Sequence, residues 1–523
     1  MKKNTVIIDT VIISVLVIIT CGIILSIVFP NKKAENGTEK PLHYTDYAGK
    51  RIGVQTGTTF DDIIRLNIPD ANICYYNTYT DMISAINSGT IDAFGVDEPV
   101  IRNIMAENNA MSYIEEFMDR YNYGFVFAKT KDGEELCSQL NDFLQEIKSD
   151  GTFKKINKLW FDSLEDERPV IDTDSLRGEN GTVSLALESQ FAPFVYVKDG
   201  KITGYEIDIA YRFCEKYGYK LDLKDMNFDA IIPAVDSGKC NFGCSGMSIT
   251  DERKESMIFS EPDYTGGTVL AIKSNVLNKD EKGFFESIKL SFEKNFLREN
   301  RWKLIANGIG TTCLITFLSV VFGSLIGFSI CIFRRTESRL ANIISDIYVK
   351  ILQGTPIVVL LMILFYVVFG NSGIDAVWVA VIGFSLNFGA YSSEIMRSGI
   401  QSIDGGQREA ALALGYSERQ AFFRFIFPQA AVRFLPIYKG EIISLLKNTS
   451  IVGYIAIEDI TKMSDIIRSR TYEAFFPLIA TAIIYFLLAW FISAVLGFIM
   501  KKADPKSRKH FTKGDVKNAD DKN

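Results

Sequence analysis

Between residues 304 and 500 the chain carries repeated apolar runs, each long enough to cross a bilayer core of about 30 Å as a helix. In lipid, every backbone polar group needs an internal partner, so runs of this length fold as helices. Five segments are expected, near 307–333, 343–370, 375–397, 431–461 and 475–500. Basic residues punctuate them: Arg334, Arg335 and Arg339 follow the first, Arg397, Arg408, Arg419 and Arg424 follow the third, and Lys501, Lys502, Lys506, Arg508 and Lys509 follow the last. If the first segment runs inward, all three clusters face the cytoplasm, as the positive-inside rule requires. Residue 303 and the polar residues before it are then outside. A further apolar run, Val11 to Phe29, follows Lys2 and Lys3 and reads as an uncleaved anchor over residues 1–30.

The overall 47% hydrophobic and 23% charged content averages a polar, acidic first half with this apolar second half. A net charge of −6 gives no reason to expect nucleic acid. Only His43 and His510 are present, which disfavours His-based catalysis and a His-rich metal site. No GxxxxGK[ST] loop occurs, so ATP is not bound by that route. Of the eight cysteines, five fall in the polar half, an odd count that makes no simple disulfide framework. Cys240 and Cys244 of "CNFGC" would sit about 13 Å apart along a strand, too far to bond. They are expected to be small buried hydrophobes.

Within residues 40–276, short strands alternate with helices. "KRIGVQTG", "TIDAFGV", "YGFVFAK", "TVSLALES", "KLDLKDM" and "NFGCSG" read as strands. "YTDMISAINSG" and "CSQLNDFLQEIKSDGTFKKINKLWF" have helical spacing, as does "YEIDIAYRFCEKYG", with Ile207, Ala210 and Phe213 or Cys214 inward. Such alternation points to an α/β fold with covered sheets. Residues 277–303 mix Phe284, Phe285, Ile288, Phe292, Phe296 and Trp302 with charges, as an amphipathic helix on the outer membrane surface would.

"LALESQFAPFVYVKDGKITGYEIDIAYRF" and "MNFDAIIPAVDSGKCNFGCSGMSITDERKESMIFSEPDY" resemble the first lobe of the polar amino-acid binding proteins of ATP-driven (ABC) importers. "YAGKRIGVQTGTT", "AINSGTIDAFGVDEPV" and "YGFVFAK" with the following "LNDFLQEIKSDGTFKKINKLWF" resemble the second lobe and C-terminal helices. Residues 304–503 resemble the five-helix permeases of the same importers through "QGTP", "SLNFGAYSSEIMRSGIQSI" and the EAA loop at Glu409. The resemblance implies an α/β bilobed periplasmic-binding-protein-like domain outside, joined to an all-α polytopic membrane domain and a cytoplasmic tail over 504–523. The order departs from the family: the second-lobe segment comes first, then the closing helices, then the first lobe. One circularly permuted domain over 40–276 accounts for this. The rival is two incomplete domains, each missing half its core.

By the same resemblance, Arg253 holds the α-carboxylate of a free amino acid, with Thr59 and the neighbouring Thr58 assisting. Asp97 accepts from the ammonium, and Ser248 and Gly246 add hydrogen bonds. Phe191 and Phe228 sandwich the side chain, while Glu188 and Gln55 contact its end. A buried zwitterion needs each charge met, and an Arg fork suits a carboxylate. An acid between two aromatic faces favours a cationic side chain, with glutamine close behind. Glu409, Ala410, Ala411 and Gly415 match the helix that docks on a separate ATPase. The chain would bind no cofactor itself; ATP and Mg would sit on that partner, and a homodimer of permease domains would complete the pathway. The competing functions are a ligand-gated amino-acid receptor with the same lobes and an enzyme of the same fold. Receptors insert their pore between the lobes, and no general-base constellation supports an enzyme.

Overall fold

The computed structural model describes residues 43–108, 110–274, 284–335, 338–370, 372–473 and 475–503. The expected anchor over 1–30 and tail over 504–523 lie outside the described residues, as does the start of the 277–303 segment.

The chain enters β1 (Arg51–Gln55), α1 (Phe60–Asn67), β2 (Asn72–Tyr76), α2 (Tyr79–Asn87), β3 (Ala93–Asp97), α3 (Glu98–Glu107) and the long β4 (Met111–Tyr123). After β5 (Val126–Ala128) come α4 (Lys131–Ser149) and α5 (Thr152–Asn157), then β6 (Thr182–Leu187), β7 (Gln190–Phe191), β8 (Val195–Lys198) and β9 (Lys201–Thr203). The polar half closes with α6 (Tyr205–Tyr217), β10 (Lys220–Asp225), α7 (Phe228–Asp236), β11 (Phe242–Gly243), α8 (Asp251–Ser256), β12 (Met257–Phe259) and β13 (Tyr264–Lys273).

Two five-stranded sheets result, in the orders β2-β1-β3-β13-β4 and β10-β6-β11-β5-β12. The last strand, β13, runs antiparallel between β3 and β4, and β5 pairs antiparallel with β11 and β12. The β1 sheet is therefore built from both ends of the segment, and the β6 sheet from its middle. We call the β6 sheet the first lobe and the β1 sheet the second. Two crossings join them, β4 to β5 and β12 to β13, and they lie side by side: Tyr123 pairs with Tyr264 and their rings stack at 5.7 Å. Helix starts follow local chemistry; Thr78, Thr130 and Thr250 each accept a backbone N–H of the first turn. On α6, Ile207, Ala210, Phe213 and Cys214 are all fully buried. Cys240 and Cys244 are buried free thiols.

The helical half begins after α9 (Phe284–Phe292), on which Phe285, Ile288 and Phe292 are exposed. It comprises α10 (Trp302–Phe333), α11 (Arg339–Gly354), α12 (Ile357–Met362), α13 (Ala376–Gln401), α14 (Gly405–Ala413), α15 (Glu418–Ala421), α16 (Phe427–Asn448), α17 (Ile460–Thr471) and α18 (Phe475–Ala503). Among the described residues, α10, α13 and α18 are long and apolar enough to cross a membrane. Two expected segments differ. The 343–370 run is not one straight span but a pair of helices bent by 107°. Its break falls at Gly354-Thr355-Pro356, because Pro356 supplies no N–H and biases the preceding residue away from helix. The 431–461 run divides into α16, a 3₁₀ turn over Thr449–Ile455, and the start of the polar α17. Arg433, Lys439, Glu441 and Lys447 lie on α16, so it does not qualify on apolar composition.

Candidate functional site

The cleft between the lobes brings the expected residues together. Gln55, Thr58, Thr59, Asp97, Phe191, Phe228, Gly246, Ser248 and Arg253 line one cavity of about 10 Å³, room for about one water. Glu188 is the exception: it stands behind Gln55, which donates from Nε2 to its Oε2 at 2.9 Å and Oε1 at 3.2 Å. Gln55 is on the second lobe and Glu188 on the first, so this bond crosses the cleft.

Arg253 projects from the first turn of α8, a six-residue helix capped by Thr250. Its guanidinium donates to Ser248 O at 3.0 Å and, across the cleft, to Gly57 O at 2.9 Å, and it stands 5.9 Å from the Phe228 ring. Burial draws its pKa below the ordinary arginine value. Facing it from the other lobe, Asp97 ends β3 and is buried. It accepts from Tyr121 Oη at 2.9 Å and from Tyr123 Oη. Burial pushes its carboxyl up to about 6, against the pull of the two tyrosine bonds. Glu188 is pushed up to about 7 by burial, opposed by the charge of Lys462 and by the Gln55 bond. A fixed guanidinium and a buried carboxylate on opposite walls form a dipolar slot, and a molecule carrying both charges satisfies both walls at once.

The aromatic wall is more crowded than expected. Phe191 stacks on Phe194 at 5.0 Å and on Tyr79 of the second lobe at 6.3 Å. Gly246 sits beneath it at φ +60°, where a Cβ would fall 2.3 Å from Phe191 Cε1. Ser245 and Gly246 donate their N–H groups to the buried Glu206 at 2.8 and 3.0 Å. Burial and the neighbouring Asp263 carboxyl hold Glu206 well above the usual carboxylate range.

Phe60, Tyr79 and Ser245 complete the lining and were not expected from the sequence; nor were Tyr121, Tyr123 and Glu206 behind it. Tyr121 and Tyr123 were open to detection, because residues two apart on a strand share a face.

The EAA segment forms a separate surface. Glu409 and Ala410 are exposed on α14, Ala411 is buried beneath them, and Gly415 turns the chain at φ +86°. Ser417 and Gln420 form a capping box that starts α15, and Arg408 pairs with Glu418 across the turn. Leu414 is 76% exposed at the tip.

A family model described as bacterial extracellular solute-binding proteins, family 3, matches residues 183–514, more than half of the chain. The chain belongs to this family. The solute-binding chain also resembles permeases. It is 32% identical over 212 residues to the L-cystine transport system permease protein TcyB of Bacillus subtilis, covering 40% of this chain and 91% of the relative. It is 34% identical over 204 residues to the arginine transport system permease protein ArtQ of the same organism, covering 39% and 91%. A crystal structure of an amino acid ABC transporter with histidines shares 32% identity, covering 43% of this chain and all of that one, with a TM-score of 0.37. Permease relatives and three apolar helices of spanning length make this a membrane protein in which a solute-binding domain is fused to a permease-like one.

Proposed function

We propose that the chain is the combined solute-binding and permease subunit of an ATP-driven importer of a polar amino acid. The observation that carries this reading is the pair Arg253 and Asp97, held on opposite walls of one cleft in a domain fused to permease-like helices. An α-carboxylate on Arg253 and an ammonium on Asp97 would bridge the lobes. Gln55, backed by the Glu188 carboxyl, then meets the side chain; a cationic group is the first choice and an amide the second. The basic clusters favour lobes outside and an EAA turn in the cytoplasm, against a separate ATPase that holds ATP and Mg. Two copies would form the pathway. The strand order, with β13 in the sheet that β1 begins, supports a circularly permuted binding domain over 40–276, followed by a linker over 277–303 and a permease domain over 304–503.

Calorimetric titration of the full chain in lipid nanodiscs with each amino acid tests this. Arg253→Ala and Asp97→Asn should each cost on the order of 2–5 kcal/mol of binding, since each strands a buried ligand charge. Near-wild-type affinity in either folded variant sinks the assignment. Glu188→Gln should weaken L-arginine more than L-glutamine if the cationic preference holds.

A further inference from the structure

Helix α17 belongs to the helical half, is polar in sequence, and is nonetheless almost wholly buried, including Lys462, Arg468 and Arg470. Buried cations demand anions, and these three find theirs on different bodies. Lys462 Nζ lies 3.1 Å from Asp225 Oδ1 of the first lobe, a contact in which both side chains are at most 3% exposed. Asp225 in turn accepts Ser189 N–H at 3.0 Å, one residue from Glu188 in the cleft. Arg468 pairs with Asp81 in the first turn of α2, the second-lobe helix that also carries the cleft aromatic Tyr79, and with Asp465 of its own helix at 2.9 Å. Arg470 pairs with Glu165, ahead of β6, and its guanidinium stands 4.8 Å from the Tyr196 ring of β8. Just past the helix, Tyr472 Oη accepts from Asn103 Nδ2 of α3 at 3.3 Å. Along the same helix, Met463, Ile466 and Ile467 cluster with Val197 of the first lobe and Ile305 of α10. One helix of 12 residues is thus tied to both lobes and to the membrane domain. A rigid rod with an ion pair to each lobe cannot keep both pairs when the lobes rotate apart.

We propose that α17 is the surface by which the membrane domain grips both lobes, Lys462 holding the first and Arg468 the second, so that the cleft opens only when one of these pairs breaks. The membrane domain thereby reads whether the cleft is shut. This adds to the transport reading, and its test needs no amino acid.

Dyes attached through unnatural keto side chains at Leu66 and Asp142, exposed on the second and first lobes, report the inter-lobe distance by single-molecule energy transfer in full-length chains in nanodiscs. Lys462→Met and Arg468→Met should each raise the ratio of open to closed lobes by at least about tenfold, the scale set by losing one partner of a buried pair. Asp81 is 35% exposed and can rehydrate, so Arg468→Met should fold even where Lys462→Met does not. Combining Arg468→Asp with Asp81→Arg should return the distances toward wild type. Wild-type distances in Arg468→Met, or a charge swap that leaves the lobes as wide as Arg468→Asp alone, overturn the proposal. Wild-type distances that ignore every amino acid tested count against the transport reading alone.

Discussion

At the residue scale the cleft stores protons. Asp97 at about 6 and Glu188 at about 7 are raised by burial, and Glu206 and Asp263 are raised with them. The folded chain then holds protons that the unfolded chain has released. Stability from these groups is complete below the ordinary carboxylate range and is lost as pH rises through about 6 to 8. Carboxylates shifted the other way, such as Asp92, Asp150 and Glu261, are near the surface and count for little. The unfolding midpoint of the binding domain should therefore fall between about pH 5 and about pH 8, and a rising midpoint in a thermal series contradicts the buried-carboxyl account. Amino-acid affinity should move oppositely at the acid end, weakening as Asp97 takes a proton below about pH 6. Gly246→Ala should cost about 1–3 kcal/mol of stability and blunt binding, because the new methyl meets the Phe191 ring; chemical denaturation beside a titration reads both. The place of Arg253 and Asp97 beside one cleft was legible because they sit in long motifs. Glu206 was not, since a buried acid on an amphipathic helix face gives no local sign of the N–H groups it will meet.

At the element scale, the turn between α14 and α15 is where the proposed docking surface is tested. A Cβ at Gly415 would meet nothing within 4 Å, so a substitution there acts through the backbone at φ +86° alone. Gly415→Val should distort the turn at a cost of about 1–2 kcal/mol, the left-handed penalty of a side chain. Reconstituted with its ATPase, that variant should bind amino acid normally while ligand-stimulated hydrolysis falls; lost binding with intact hydrolysis would place the turn on the other side. Elements with strong periodicity, such as α6 and β6, were readable in the sequence. β4 was missed because its 13 residues expose many polar side chains beside a single neighbour, β13. The 431–461 run read as one segment because apolar neighbours outweighed its six charges, Arg433, Lys439, Glu441, Lys447, Glu458 and Asp459.

At the scale of the whole molecule, strand order makes a strong demand on folding. Fragment 40–165 would keep β5 without β6, β10, β11 or β12, and would lack β13 between β3 and β4. It should melt without a cooperative transition, whereas 40–276 should unfold as a unit whose midpoint climbs with ligand concentration. A sharp, ligand-dependent transition in 40–165 alone would establish two separate domains. The alternation of strands and helices in the polar half was legible, but the embrace of α17 was not, because ion pairs such as Arg468–Asp81 join residues hundreds of positions apart. The side-by-side crossings also set which part moves. The described chain enters the second lobe at β1 and leaves it at β13, so that lobe is the fixed jaw of a vise. The first lobe is an inserted jaw, joined to the second through two neighbouring strands, so once the Lys462–Asp225 pair lets go it can swing without moving the end of β13 that leads on to the membrane helices.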